Sequence, residues 1–354
     1  MTTNSTTSTT DTEAATSAAA TSALPTTMSA ASRHRYGPPE SVTIEQTAVP
    51  EPGPTEVLVE VAAAGLDRGV WHLMTGMPYL LRLAGFGVTR PKQPVLGGDV
   101  AGRVVAVGSS VTRFAPGDHV TGIADGSFAE YAVADESKLA IKPDSITFDE
   151  AAASPTSGVT ALQALTTVGG IEAGQNVLII GASGGVGSFA VQIAKTLGAS
   201  VTGVASTAKL EFVTSLGADA VIDHTTTDLR DINEQFDLII DIAGRTPLRH
   251  LRRLLTAHGT HVIVGGDNGG RFAAGTGRNL RAAVLSVFVS QRMTFFISSG
   301  SREYLDPLVE MLAERSVVAA IDQRVPLADA LDAIRALDAG RIRGKSVIVV
   351  AGRE

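Results

Sequence analysis

Short apolar runs broken by Gly, Pro and Asp occupy the chain up to about residue 133, at 56–61, 100–107, 119–123 and 128–133. Their length and punctuation predict a β-rich unit. Pro116-Gly-Asp118 combines a preset φ, a residue tolerant of positive φ and a local acceptor, which predicts a tight turn before the strand at 119. From about residue 156 the pattern changes. Apolar strands at 177–180, 200–204, 236–242 and 260–264 alternate with helical spacing at 208–216 and 247–255, as in a wound parallel sheet. A glycine-rich, arginine-dotted segment, 271–292, interrupts the alternation. A strand at 293–297, helices at 303–313 and 327–338 and a strand at 345–350 follow, and are expected to rejoin the β-rich unit. Residues 1–31, dominated by Thr, Ser and Ala, carry no apolar period and are expected to be disordered, with Met28 an alternative translation start.

The most informative stretch is 174–195. Val177 to Ile180 form an apolar run suited to a strand covered on both faces, residues 181–187 turn sharply, and Val186, Ala190, Ile193, Ala194 and Leu197 then recur at helical spacing. The helix N-terminus so created presents free N–H groups and a positive dipole end, a site for a pyrophosphate. Gly184 and Gly187 carry no side chain to hold a phosphate or the sheet at a distance. A glycine-rich loop alone is weak, but the strand at 200–204 arrives where a dinucleotide-binding unit needs it.

With 354 residues and 44% hydrophobic content, two domains are expected. The boundaries are a tail at 1–31, a catalytic domain at 32–155, a nucleotide-binding domain at 156–290 and a closing segment at 291–354. The longest late apolar stretch, 282–289, is fenced by Arg281, Gln291 and Arg292, too short to span a membrane. A formal charge of −7 argues against nucleic acid, and zero cysteine excludes disulfides and thiolate-bound metal. No membrane partner and a cytoplasmic setting are expected.

Gly174-Gln175, Leu178, Ala182-Ser183-Gly184-Gly185, Gly187, Gln192 and Lys195, together with Gly97-Gly-Asp-Val-Ala-Gly102, Phe114-Ala-Pro-Gly-Asp118 and Gly126-Ser-Phe-Ala-Glu-Tyr131, resemble the zinc-free, quinone-oxidoreductase-like branch of the medium-chain dehydrogenase/reductases. The resemblance covers about residues 33–350. It implies an α/β protein: a GroES-like β domain, completed by the C-terminal segment, beside a Rossmann domain, with a cleft between them. The positions matching the zinc ligands of metal-dependent relatives are Asp67, Gly98 and Thr156, which cannot supply three thiolate or imidazole ligands. His258 and His261 read as ordinary loop histidines. No metal is expected.

Where an acid about 20 residues past the glycine loop would favour NAD, this chain has Ser206, Thr207 and Lys209, donors suited to a 2′-phosphate, so NADPH is expected. Ser206 reads equally as a helix cap. Around the cofactor the resemblance places Thr160, Ala182, Ser183, Gly184, Gly185, Val186, Gly187, His224 (where relatives carry tyrosine), Gly265, Gly266, and Lys345 with Arg343 and Gly344. The long connection at 66–94 is expected to line the cleft and supply the catalytic groups: His72 as leading proton donor, Tyr79 as second, Asp67 as an orienting group. The implied reaction is hydride reduction of a quinone or enone by a homodimer. Metal-free carbonyl and alcohol interconversion, or a weakly active cofactor-binding sensor, are the alternatives.

Overall fold

A computed structural model describes residues 24–265, 277, 278, 281, 282, 286, 289–298 and 300–350. In chain order the strands are β1 Thr27–Ser32, β2 Thr43–Ala48, β3 Glu56–Leu66, β4 Asp99–Val107, β5 His119–Ile123, β6 Tyr131–Asp135 and β7 Leu139–Ile141. Then come β8 Asn176–Ile180, β9 Ser200–Ala205, β10 Ala220–Asp223, β11 Phe236–Asp241, β12 Leu255–Ile263, β13 Arg292–Phe295, β14 Ile321–Pro326 and β15 Lys345–Val349.

The second half builds a six-stranded sheet in the order β10-β9-β8-β11-β12-β13, every neighbouring pair parallel. Val177, Leu178, Ile179 and Ile180 of the central β8 are all buried, because helices cover both faces. The chain leaves β8 toward β9 on one side and later fills β11 on the other. The crevice for a ligand therefore opens at the carboxyl end of β8, where the strand order reverses.

A seven-stranded, mainly antiparallel sheet holds the other half: β14-β15-β3-β4-β5-β7, with β6 also paired to β3. β15, the last strand, lies antiparallel against β3, so the C-terminus completes a sheet begun nearly 300 residues earlier in sequence. Helix Ala330–Asp338 packs Ala330, Ala333 and Ile334 into the same core as Val70 and Met74. Helix Arg302–Ala313 buries Leu305, Leu308, Val309 and Leu312 in the core shared with the parallel sheet.

Three expectations change. The N-terminal tail is shorter than 1–31: β1 pairs with β2, with Met28 3% exposed and Ala30 and Ala31 fully buried. The strand expected at 293–297 does not join the β-rich sheet; it is β13, parallel to β12, because Met293 packs with Ile263 beneath that sheet. The connection at 66–94 is not a bare loop, since it contains helix α1, Arg68–Thr75, and a further helical stretch at 79–86.

Candidate active site

A cleft of about 1440 Å³ runs between the glycine loop and α1. Its floor is the turn after β8. Ser183, Gly184, Gly185 and Val186 line the cleft, and helix Gly185–Thr196 starts there with Gly184 as N-cap, offering no side chain to the first-turn N–H groups. Those N–H groups have no acceptor within the helix and need an external anion or water. Steric demand explains the glycines at two positions. A Cβ on Gly187 would sit 2.2 Å from Gly181 O, so helix and turn could not meet; one on Gly185 would approach Ser157 Oγ at 3.0 Å and Lys345 Cδ at 3.2 Å. Ala182 is buried behind the turn and Gly187 within the helix, so both shape the cradle from behind. The cradle fits a pyrophosphate.

The C-terminal segment closes the cradle from the other side. Gly344 N donates to Ser183 O (2.9 Å), and the buried Lys345 Nζ donates to Ser157 Oγ (3.0 Å) and lies 3.4 Å from Asp99 Oδ2. Asp99 Oδ1 in turn accepts from Thr156 N (2.9 Å) and Thr156 Oγ1 (2.5 Å). Burial pushes the Asp99 carboxyl up to about 6, against the opposing pull of the Lys345 ammonium. Asp99, Thr156 and Ser157 carry no joint signal in the sequence beyond an acid opening a mostly apolar strand, in Gly97-Gly-Asp99.

Past the end of β9, Ser206, Lys209, His224, Arg245 and Arg249 line the cleft, a concentration of positive charge in a chain of net charge −7. Ser206 makes no capping hydrogen bond with its side chain. Lys209 Nζ donates to Gly340 O (2.8 Å) and Ile342 O (2.7 Å), tying the nucleotide side to the C-terminal turn, and partial burial holds its ammonium below the ordinary value. Thr207 is directed elsewhere: its hydroxyl bonds Asp223 Oδ2 (2.5 Å) and Thr225 Oγ1 (2.8 Å) and is not part of the cleft wall. Thr160, Gly265 and Lys345 do line the cleft, whereas Gly266 lies outside the described residues. Thr160 sits inside helix Pro155–Gln163.

Beyond Gly265 the sequence reading missed a buried cluster. Asp241, at the end of β11, accepts from Gly244 N (2.9 Å) and pairs with Arg278, while His261 Nε2 lies 3.5 Å away. Burial alone would raise the Asp241 carboxyl; His261 and the Arg278 guanidinium hold it below its ordinary value. His261 is thus fully buried in β12 and not a loop histidine. Arg278 comes from the arginine-dotted segment, which had no assigned role, and lines the cleft.

The opposite wall belongs to α1. Asp67 is its N-cap: Oδ1 accepts from Gly69 N (2.5 Å) and Val70 N (3.3 Å), satisfying two orphan donors of the first turn. Asp67 thus lines the cleft and caps the helix that carries His72. His72 Nδ1 lies 2.9 Å from Met77 O, a carbonyl that only accepts, so Nδ1–H is the donor of that contact. His72 and Pro78 line the cleft. Tyr79 is not in its wall; its ring packs on the Arg82 guanidinium, 4.7 Å from the ring centre, with Tyr36 stacked on the same group at 4.3 Å.

Among the described residues no group of three His, Cys, Asp or Glu side chains could hold a metal ion, and no helix is long and apolar enough to cross a membrane. The family described as alcohol dehydrogenase GroES-like domain matches residues 53–144; those described as alanine dehydrogenase/PNT C-terminal domain and zinc-binding dehydrogenase match 150–258 and 216–348. The chain is 32% identical to the chloroplast envelope quinone oxidoreductase homolog of Arabidopsis thaliana, over 86% of this chain and 92% of that one. It is 32% identical to the 2-methylene-furan-3-one reductase of Solanum lycopersicum, over 92% of this chain and 80% of the relative. A mycobacterial protein solved in complex with NADPH superposes with a TM-score of 0.77 at 26% identity, covering 91% of this chain and all of that one.

Proposed function

The chain belongs to the medium-chain dehydrogenase/reductase superfamily, in its quinone-oxidoreductase-like branch, and from that premise we propose that it is a zinc-independent, NADPH-dependent reductase of quinones or α,β-unsaturated carbonyls. The observation that carries the reading is the single cleft that joins the side-chain-free helix N-terminus at Gly184–Val186 to the His72 edge of α1. The names of relatives reducing a quinone or a furanone, and a neighbour holding NADPH, support the same class.

NADPH would supply the hydride. The first-turn N–H groups of helix Gly185–Thr196 would hold its pyrophosphate, and Ser206 and Lys209, with Arg245 and Arg249 nearby, would meet the 2′-phosphate. Thr160 and Gly265 bound the reactive end of the cleft. His72, with Nδ1–H committed to Met77 O, can deliver a proton only from Nε2 of the doubly protonated ring, to an oxygen or carbon gaining negative charge. Asp67 keeps that ring in place through the α1 cap. A quinone or enone needs no Lewis acid, because conjugation already makes its ring or β-carbon electron-poor, and the oxygen that gains charge needs only hydrogen-bond donors and a proton. The homodimer expected of the chain would form along β13, the edge strand of the parallel sheet among the described residues, beside Phe295 (42% exposed) and Ile297 (88% exposed).

The test is NADPH consumption with a panel of quinones, enones, aldehydes and alcohols. Turnover of the first two classes, and a loss of about 10²-fold in kcat for His72→Ala with NADPH affinity retained, is the expected result. Turnover confined to aldehydes and alcohols would replace this reading by carbonyl and alcohol interconversion.

A further inference from the structure

Residues 79–88 carry four large apolar side chains that no core covers: Leu80 is 46% exposed, Leu83 71%, Phe86 45% and Val88 61%. Leu80 and Leu83, three apart in a helical stretch, share a face. The backbone beneath them is firmly held. Tyr36 Oη donates to Phe86 O (2.9 Å) and Gly87 O (2.7 Å), Lys92 N to Phe86 O (3.0 Å), and Arg82 Nε to Gly76 O (2.9 Å), with Arg82 stacked between the Tyr36 and Tyr79 rings. Polar contacts thus fasten the segment from below while its apolar side chains face solvent, the reverse of a segment folding to bury them. Four exposed apolar side chains within nine residues of a well-anchored support mark an interaction surface.

Charge selects the partner. From residue 68 to 98 the sequence has no Asp or Glu but carries Arg68, Arg82, Arg90 and Lys92, in a chain whose net charge is −7. Arg90 and Lys92 are exposed, immediately beyond Val88. Apolar side chains flanked by cations on an acid-free stretch match the interface of an anionic lipid bilayer, where headgroup phosphates meet acyl chains. The same segment begins at the cleft wall, with His72 and Pro78.

We propose that residues 79–92 form a surface that docks on anionic membranes, with Leu80, Leu83, Phe86 and Val88 entering the headgroup boundary and Arg90 and Lys92 meeting lipid phosphates. Among the described residues no helix is long and apolar enough to cross a membrane, and such peripheral contact needs none. A substrate dissolved in the bilayer would then reach the cleft along the His72–Pro78 wall; that route rests on the reductase reading, whereas the docking does not.

Flotation of the full chain with vesicles tests it. Vesicles of phosphatidylglycerol and phosphatidylcholine are expected to carry the protein at low salt, and pure phosphatidylcholine far less. Leu83→Asp with Phe86→Asp should lower binding by about 100-fold or more, since each removes an apolar anchor. Arg90→Ala with Lys92→Ala should lower it by about 25-fold on anionic vesicles, about five-fold per cation. NADPH binding and turnover of a short, water-soluble quinone should be unchanged in both variants, which shows that they fold and separates this proposal from the reductase reading. No flotation of the wild type, or equal flotation of the variants, overturns docking. So does Leu83→Asp with Phe86→Asp splitting an oligomer while vesicles remain unbound, which would make the patch a self-association face.

Discussion

Asp99→Asn removes a carboxylate whose surroundings set the sign of a pH effect. Burial raises the Asp99 carboxyl from an ordinary 3.8 to about 6; the Lys345 ammonium and the Thr156 donors oppose this, and the nearby Asp67 charge adds to it. Because the folded value lies above the unfolded one, the stabilising contribution is fully present below the unfolded value and is lost as pH rises through the folded value. The gap of about two pH units corresponds to about 3 kcal/mol. Urea unfolding of the wild type and the variant between about pH 4 and about pH 7 should therefore give a stability difference, wild type minus variant, that falls by about 3 kcal/mol with rising pH. Asn keeps an acceptor for Thr156 but turns an amide donor toward Lys345; measured against the protonated carboxyl, that mismatch adds a pH-independent penalty of about 1–3 kcal/mol, which does not change the slope. Asp99→Asn with Lys345→Met should recover much of that penalty while leaving the slope equally absent. A difference that stays flat, or rises with pH, would refute the reasoning, since it would mean that the Lys345 charge outweighs desolvation.

Lys209→Glu should weaken NADPH binding by about 10–100-fold and leave NADH less affected, narrowing or inverting the preference; equal dissociation constants for the two cofactors in the wild type would defeat the 2′-phosphate assignment. Asp67→Ala should lower unfolding stability by about 1 kcal/mol through loss of the α1 cap, with Asp67→Ser close to wild type; a large loss of kcat at unchanged stability would instead place Asp67 in the chemistry. Activity should survive exhaustive chelation, and a stoichiometric zinc content by elemental analysis would overturn zinc independence.

The parallel sheet was readable because each of its units is local. Val177 to Ile180, the glycine turn and the helix after it lie within 20 residues, and burial on both faces leaves an unbroken apolar run. Features built from small or distant residues were not readable. β1 is Thr-Met-Ser-Ala-Ala-Ser, in which alanines and a serine are buried without an apolar signature. Helix α1 is eight residues long, too short for a period to emerge, and its start depends on Asp67 acting as a cap. β13 reads as a strand, but nothing in its four residues says which sheet it joins. The Asp99–Lys345 pair spans 246 residues and exists only because β15 closes against β3. The positions that the resemblance matched to zinc ligands all bear on Asp99. Thr156 donates to Asp99, Gly98 adjoins it in the chain, and the Asp67 charge is felt by it. The buried cation beside that carboxylate is the ammonium of Lys345, which also touches Ser157 under the glycine loop. The counter-charge at the floor of the cleft is therefore delivered by the last strand, so the site acquires its electrostatics only once the C-terminal segment is in place.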